Sequence, residues 1–243
     1  MIQLLASVRD AAEAETAIGA GADIIDLKAP NRGALGALAP EIIDACVRSV
    51  GGRAPLSATI GDLPLEGDAV REAVLRTAAL GVDYVKLGIF PGAEAERSLM
   101  ALKPEAARCR LILVLFADAL PPFDAIGLAA AIGAAGIMFD TLGKGSGALP
   151  DYIPPDRLAA PVCAAKARGL MVGLAGSLRA KHVPSLLALE PDLLGFRGAL
   201  CRGGERTAPL DQARVAAIRS LIPRRPLDLR QANFSEAVPQ ALC

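Results

Sequence analysis

Eight short apolar runs, alternating with helix-like stretches, predict that this 243-residue chain folds as one α/β domain, a single (β/α)8 TIM barrel. Three observations carry that expectation. The runs recur through about 220 residues, close to the usual size of such a barrel. Helix patterns hand over to strands through a repeated punctuation, in "GAGADII", "ALGVDYV", "AAGIMF" and "LEPDLLGF". There a Gly or Pro ends the helix just before an apolar run. Polar residues able to do chemistry gather at the far ends of the runs, where barrel enzymes place their sites. An open doubly wound sheet shares the first two features, because periodicity does not show closure. The absence of GxGxxG after the first run counts against its dinucleotide-binding version.

The runs lie at 3–7, 23–28, 55–60, 83–88, 111–117, 136–140, 170–175 and 192–197. The first ends at Ser7. The second, "DIIDLKAP", interrupts Ile and Leu with Asp26 and Lys28, which share one face of a strand while Ile25 and Leu27 share the other. The third, "LSATIGD", offers Ser57, Thr59 and then Asp62; the fourth, "DYVKLG", offers Lys86. The fifth, "LVLFADA", leads to Asp118, and the sixth, "IMFDTLGKGSG", to Asp140 with Lys144 beyond it. The seventh, "VGLAGSL", gives Gly176 and Ser177, and the eighth, "LGFRGALCRGG", gives Arg197 and Gly198. The barrel is expected to occupy 1–222. The segment 223–243 breaks the pattern with three prolines and mixed charge, as expected of an extension draped on the surface or partly disordered.

Composition excludes several classes of function. Basic and acidic residues balance at 26 each, which provides no electrostatic grip on nucleic acid. Aromatic content is 3% without Trp, which removes base-stacking platforms. Five scattered cysteines form no CxxC pair and suggest neither a disulfide framework nor a zinc site. The apolar runs are too short to span a bilayer and the N-terminus lacks a basic leader, so a soluble cytoplasmic protein is expected. No metal or other cofactor is called for. Alanine-rich helices leave a homo-oligomer open.

The lysines are informative because the chain has only six beside 20 arginines. Lys28, Lys86 and Lys144 fall at predicted strand ends or in the loops after them. Lys can lose its proton and attack a carbonyl, which Arg cannot. Clustering and desolvation both push a lysine pKa down, and that is how an amine becomes a Schiff-base nucleophile. An anionic handle would suit the last two units, where "AGS" and "RGA" allow backbone N–H groups near a phosphate and Ser177 and Arg197 add a hydroxyl and a charge. Arg202, Gly203 and Gly204 offer a second cradle. Ser57, Thr59 and Asp118 complete the candidate substrate contacts. "GKGS" around Lys144 is not a P-loop, since GxxxxGK[ST] is not met. His182 stands alone and reads as a surface or helix-entry residue.

The ordered set "GADIIDLKAPNRGALGA", "LSATIGD", "DYVKLG", "FADA", "FDTLGKGSG", "LAGSL" and "GFRGALCRGGERT" resembles the (5-formylfuran-3-yl)methyl phosphate synthase family of methanofuran biosynthesis. The resemblance touches every βα unit and leaves out the C-terminal segment. It implies a barrel lyase that converts two molecules of glyceraldehyde 3-phosphate into a furan aldehyde phosphate. It implies a Schiff base on Lys28, with Asp26, Lys86, Asp140 and Lys144 as the other functional residues. It also implies a place in the one-carbon metabolism of methanogens or methylotrophic bacteria. Two other readings use the same residues: a Schiff-base aldolase or isomerase acting on another sugar phosphate, and a non-catalytic phosphometabolite-binding barrel. The last has no need of an amine beside a proton-shuttling acid.

Overall fold

The computed structural model describes residues 1–223. The expected extension therefore falls, from residue 224 on, outside the described residues. Eight strands form a closed barrel: β1 (Gln3–Val8), β2 (Ile24–Leu27), β3 (Leu56–Thr59), β4 (Tyr84–Gly88), β5 (Arg110–Phe116), β6 (Gly136–Asp140), β7 (Met171–Leu174) and β8 (Leu193–Phe196). Each end lies within one residue of the predicted run. β1 pairs in parallel with both β2 and β8, which closes the sheet and removes the open alternative.

The strands read as almost unbroken apolar runs because both of their faces are covered. Outward residues such as Ile25, Leu27, Val85, Leu113 and Ile137 pack against the surrounding helices. Inward residues such as Leu5, Ile24, Ile112, Val114, Met138 and Leu193 fill the lumen. The lumen is tight at Gly173, where a Cβ would meet Leu193 Cδ1 at 2.9 Å and Met138 Cε at 3.0 Å and push those side-chain ends aside. Beneath Lys86 it leaves a void of about 10 Å3. Substrate must therefore enter from the C-terminal ends of the strands.

Three helices start where an Asp side chain satisfies a first-turn N–H group. Asp10 caps the helix Ala11–Gly19, Asp124 the helix Ala125–Ile132 and Asp211 the helix Gln212–Ser220. Among the described residues no helix is long and apolar enough to cross a membrane. Among the described residues Cys46, Cys109 and Cys201 are free thiols.

The repeated punctuation has a physical role at the opposite, N-terminal face. Asp23 stands just before β2 and its Oδ2 accepts the N–H of Leu4 on β1 at 2.7 Å. Asp83 before β4 accepts from Leu56 on β3, and Asp192 before β8 accepts from Val172 on β7, each at 2.7 Å. In all three pairs the Asp main-chain N–H donates back to the carbonyl of the same partner. The bond pair locks the register of neighbouring strands, and a slip of one residue would turn every side chain to the wrong face. Asp192→Ala should cost about 1–3 kcal/mol, the usual size for losing a charged acceptor on a buried N–H. The urea midpoint should fall at unchanged slope; an unaltered midpoint would remove this role.

Candidate active site

The parallel register sets Ser7, Asp26 and Ser57 side by side on β1, β2 and β3. All three point into the barrel mouth and are buried. Ser7 Oγ donates to Asp26 Oδ2 at 2.8 Å and Ser57 Oγ donates to Oδ1 at 2.7 Å. Lys86, reaching in from β4, places Nζ 2.5 Å from Asp26 Oδ1. The carboxylate's partner is thus the lysine sixty positions away, and not its neighbour Lys28. Burial alone would raise the Asp26 carboxyl. The ammonium groups of Lys86 and Lys28 outweigh burial and hold it below the ordinary carboxylate range. Burial also pulls the Lys86 ammonium down; Asp26 opposes this and Lys28 adds to it.

A second pair forms at the end of β6. Lys144 Nζ lies 2.6 Å from Asp140 Oδ1 and also donates to the Thr141 carbonyl. The Thr141 N–H donates to Asp140 Oδ1 at 2.7 Å. Burial pulls Lys144 down, opposed by Asp140 and reinforced by Lys28. Burial raises Asp140, but Lys144 and Lys28 again win, and its carboxyl is lowered.

Lys28 stands between these pairs. Its charge acts on Asp26, Lys86, Asp140 and Lys144 alike. It is 7% exposed and faces the cavity, yet among the described residues no carboxylate lies within ion-pair distance of it. Three amines and two carboxylates thus converge, with one amine left over.

These groups line the floor of a cavity of about 510 Å3. Seven basic side chains but only four acidic ones line it, although the whole chain is neutral. Such a cavity attracts an anion. Gly176 and Ser177, both at positive φ (99° and 50°), form part of its wall, together with Arg197 and Gly198. The other candidates lie elsewhere. Thr59 is buried and donates to the Gly36 carbonyl at 3.1 Å, away from the cavity. Asp118 is exposed, outside the lining, and accepts the N–H groups of Leu142 and Gly143. Ser57 acts on Asp26 and does not line the cavity.

Arg197 reaches the wall but has no donor to spare. Nε donates to the Arg206 carbonyl, Nη1 to Ser7 O and Glu13, and Nη2 to Glu13 and Ala208 O. All five guanidinium N–H groups are taken by the protein, so the expected phosphate contact is instead a staple across the β8–β1 seam. Other cavity cations were not predicted: Arg179, Lys181 and Arg206 line the wall, with His182 beside them. Arg206 Nη2 donates to Gly33 O at 3.2 Å. His182 does sit at a helix entry, accepting the Arg179 N–H, but it also faces the cavity. Of the second cradle, Gly204 lines the cavity and Arg202 does not. The signal for Arg206 was its place in "GGERT", directly after the glycines already singled out. Among the described residues no group of His, Cys, Asp and Glu is arranged to hold a metal ion.

The 4-HFC-P synthase family model matches residues 4–219. A Methylorubrum extorquens protein provisionally named (5-formylfuran-3-yl)methyl phosphate synthase is 46% identical over 88% of this chain and 89% of its own length. The (5-formylfuran-3-yl)methyl phosphate synthase of Methanopyrus kandleri is 34% identical over 92% of this chain and 96% of its own. That of Methanocaldococcus jannaschii is 33% identical over 90% and 98%. Solved structures resemble the fold alone. Phosphoribosyl anthranilate isomerase from Thermus thermophilus gives a TM-score of 0.64 at 19% identity, over 90% of this chain and 98% of that one. 3-Hexulose-6-phosphate synthase from Salmonella typhimurium gives 0.61 at 15% identity, over 89% and 98%.

The depressed carboxyls of Asp26 and Asp140 make acid stability a test of the site. A carboxylate whose pKa is lower folded than unfolded adds stability above its unfolded value, and that stability is lost as pH falls through the folded value. Stability from both pairs should therefore be complete at neutral pH and decline below about pH 4. Asp26→Asn should cost about 3–5 kcal/mol at neutral pH by stranding the buried Lys86 ammonium, and should flatten the acid limb. Urea midpoints measured from neutral to acid pH check both; an acid limb as steep as the wild type's would refute the assignment.

Proposed function

The chain belongs to the 4-HFC-P synthase family, and from that premise we propose that it condenses two molecules of glyceraldehyde 3-phosphate into (5-formylfuran-3-yl)methyl phosphate. Phosphate and water are lost, and the product enters methanofuran biosynthesis. The observation that carries this reading is the unpaired amine of Lys28 between two lysine–aspartate pairs at the floor of a cation-rich cavity. The names of the relatives support the product.

In this proposal the Lys28 amine adds to the aldehyde carbon of one triose phosphate and water leaves, giving an imine. The imine draws electrons from the adjacent C–H more strongly than a carbonyl does, so that proton departs under mild conditions. Asp140, or Asp26 through its contact with Lys86, takes it. The electron pair released expels the phosphate from the next carbon. The second triose phosphate keeps its phosphate and isomerises to its ketone, a proton moving from its central to its terminal carbon. The terminal enol carbon then attacks that central carbonyl carbon, the connectivity a furan bearing formyl and phosphomethyl groups at positions 5 and 3 requires. Ring closure through oxygen and dehydration then give the furan, and hydrolysis frees Lys28. Lys144 and Lys86 stabilise developing oxyanions and return protons. The cations of the wall hold the phosphates.

A Schiff-base aldolase acting on another sugar phosphate would need the same floor. Incubation with glyceraldehyde 3-phosphate alone separates the two, because a furan aldehyde absorbs in the ultraviolet and a simple aldol product does not. Borohydride added during turnover should leave a substrate adduct on Lys28, read by peptide mass. Lys28→Arg should abolish both adduct and absorbance. An adduct on Lys86 or Lys144, with Lys28→Arg still active, would sink the assignment. Asp140→Asn should slow product formation by about 10²-fold or more, the usual weight of a positioned acid–base group.

A further inference from the structure

The loop after β6 has a problem of its own. Between 143 and 147 it carries three glycines, Gly143, Gly145 and Gly147, around Lys144. Glycine populates backbone regions closed to other residues, so such a loop is costly to hold in one shape. Yet Lys144 must keep its ammonium 2.6 Å from Asp140.

Asp118 supplies the restraint. Phe116 and Asp140 are register partners on β5 and β6, so Asp118 and Leu142 emerge side by side two residues beyond. The two oxygens of Asp118 accept two successive N–H groups, from Leu142 and from Gly143, each at 2.7 Å. The second belongs to the residue directly before Lys144. A Cβ at Gly143 would come within 3.2 Å of Asp118 Oδ2, so glycine there permits the close approach. The chain uses the same device in the loop that follows Lys28. After β2, Asp62 accepts from Ala34 at 2.9 Å and from Leu35 at 2.7 Å, and a Cβ at Gly33 would overlap its Oδ2 at 1.8 Å.

We propose that Asp118 is a positioning residue: a two-pronged carboxylate clamp that fixes the backbone before Lys144 and so aims that amine at Asp140 and the substrate. Asp118 itself touches no substrate, since it lies outside the cavity lining. The effect on turnover rests on the proposed synthase reaction; the effect on Lys144 does not.

The test compares Asp118→Ala and Asp118→Asn with Asp124→Ala, which removes an exposed carboxylate of the same connection that caps the Gly127 N–H and does not bond to the loop of Lys144. Two readouts are taken: steady-state kinetics with glyceraldehyde 3-phosphate, and the rate at which an amine-specific acylating reagent labels Lys144 and Lys86, resolved by peptide mass. Asp118→Ala should lower kcat by about 10- to 100-fold with KM nearly unchanged, as expected when a reacting group is misplaced by about 1 Å. It should also speed labelling of Lys144 severalfold and leave Lys86 as it was. Asp118→Asn should recover part of kcat, because its amide oxygen still accepts one N–H. Asp124→Ala should change neither readout. Wild-type kcat together with wild-type Lys144 labelling in Asp118→Ala would overturn the clamp. So would a raised KM at constant kcat, the mark of a direct substrate contact. If the wild type itself forms no furan product, the synthase reading falls, and the Lys144 labelling rate alone decides for or against the clamp.

Discussion

The site depends on a single buried carboxylate that four consecutive strands share. Asp26 on β2 receives hydroxyls from Ser7 on β1 and Ser57 on β3 and an ammonium from Lys86 on β4. A fully buried charge is tolerated only when its lone pairs are occupied and a counter-charge is in contact. Asp26 meets both conditions only if β1, β2 and β3 hold the in-register row that sets Ser7, Asp26 and Ser57 abreast. With Lys86 committed to Asp26, and Lys144 to Asp140, Lys28 is left as the amine without a counter-ion in contact. Its availability is a result of where the other charges are spent.

Carboxylates do three separate jobs in this chain, sorted by height along the barrel. At the N-terminal face Asp23, Asp83 and Asp192 bond to main chain and set register. At the mouth Asp26 and Asp140 bond to lysines. Beyond the mouth Asp62 and Asp118 bond to pairs of loop N–H groups. Only the middle set is buried with ammonium groups, and there the proton affinities depart from ordinary values through desolvation and mutual charge. The division matches the general separation of stability from chemistry between the two ends of such barrels.

The strands were legible because each is a short apolar run between turn-forming residues, a local property. The convergence of Lys28, Lys86, Lys144, Asp26 and Asp140 was legible once those runs were closed into a barrel, since all five follow from strand order and side-chain alternation. Pairing was not legible. Lys28 is two residues from Asp26, yet the ladder brings Lys86 within contact, and a choice between two lysines is made by tertiary distance. Arg197 misled for a similar reason: its acceptors come from Glu13 on a helix and from carbonyls at 7, 206 and 208. Nothing around "GFRGA" announces them. Asp118 was visible as a polar residue after a strand, but its targets are main-chain N–H groups, which leave no mark in side-chain chemistry.

The reciprocal bonds at Asp23, Asp83 and Asp192 bear on how the barrel assembles. Each joins an odd strand to the even strand that follows it in sequence, β1 to β2, β3 to β4 and β7 to β8. The equivalent position before β6 is Ala135, which keeps the main-chain bond to Leu111 but has no carboxylate to return one. Three βαβ hairpins therefore carry their own alignment marks, within about thirty residues of chain, where loop-closure entropy is small. Each of these three units thus carries a side-chain mark of its alignment in its own residues, whereas the β5–β6 unit has only its main-chain bonds to set it.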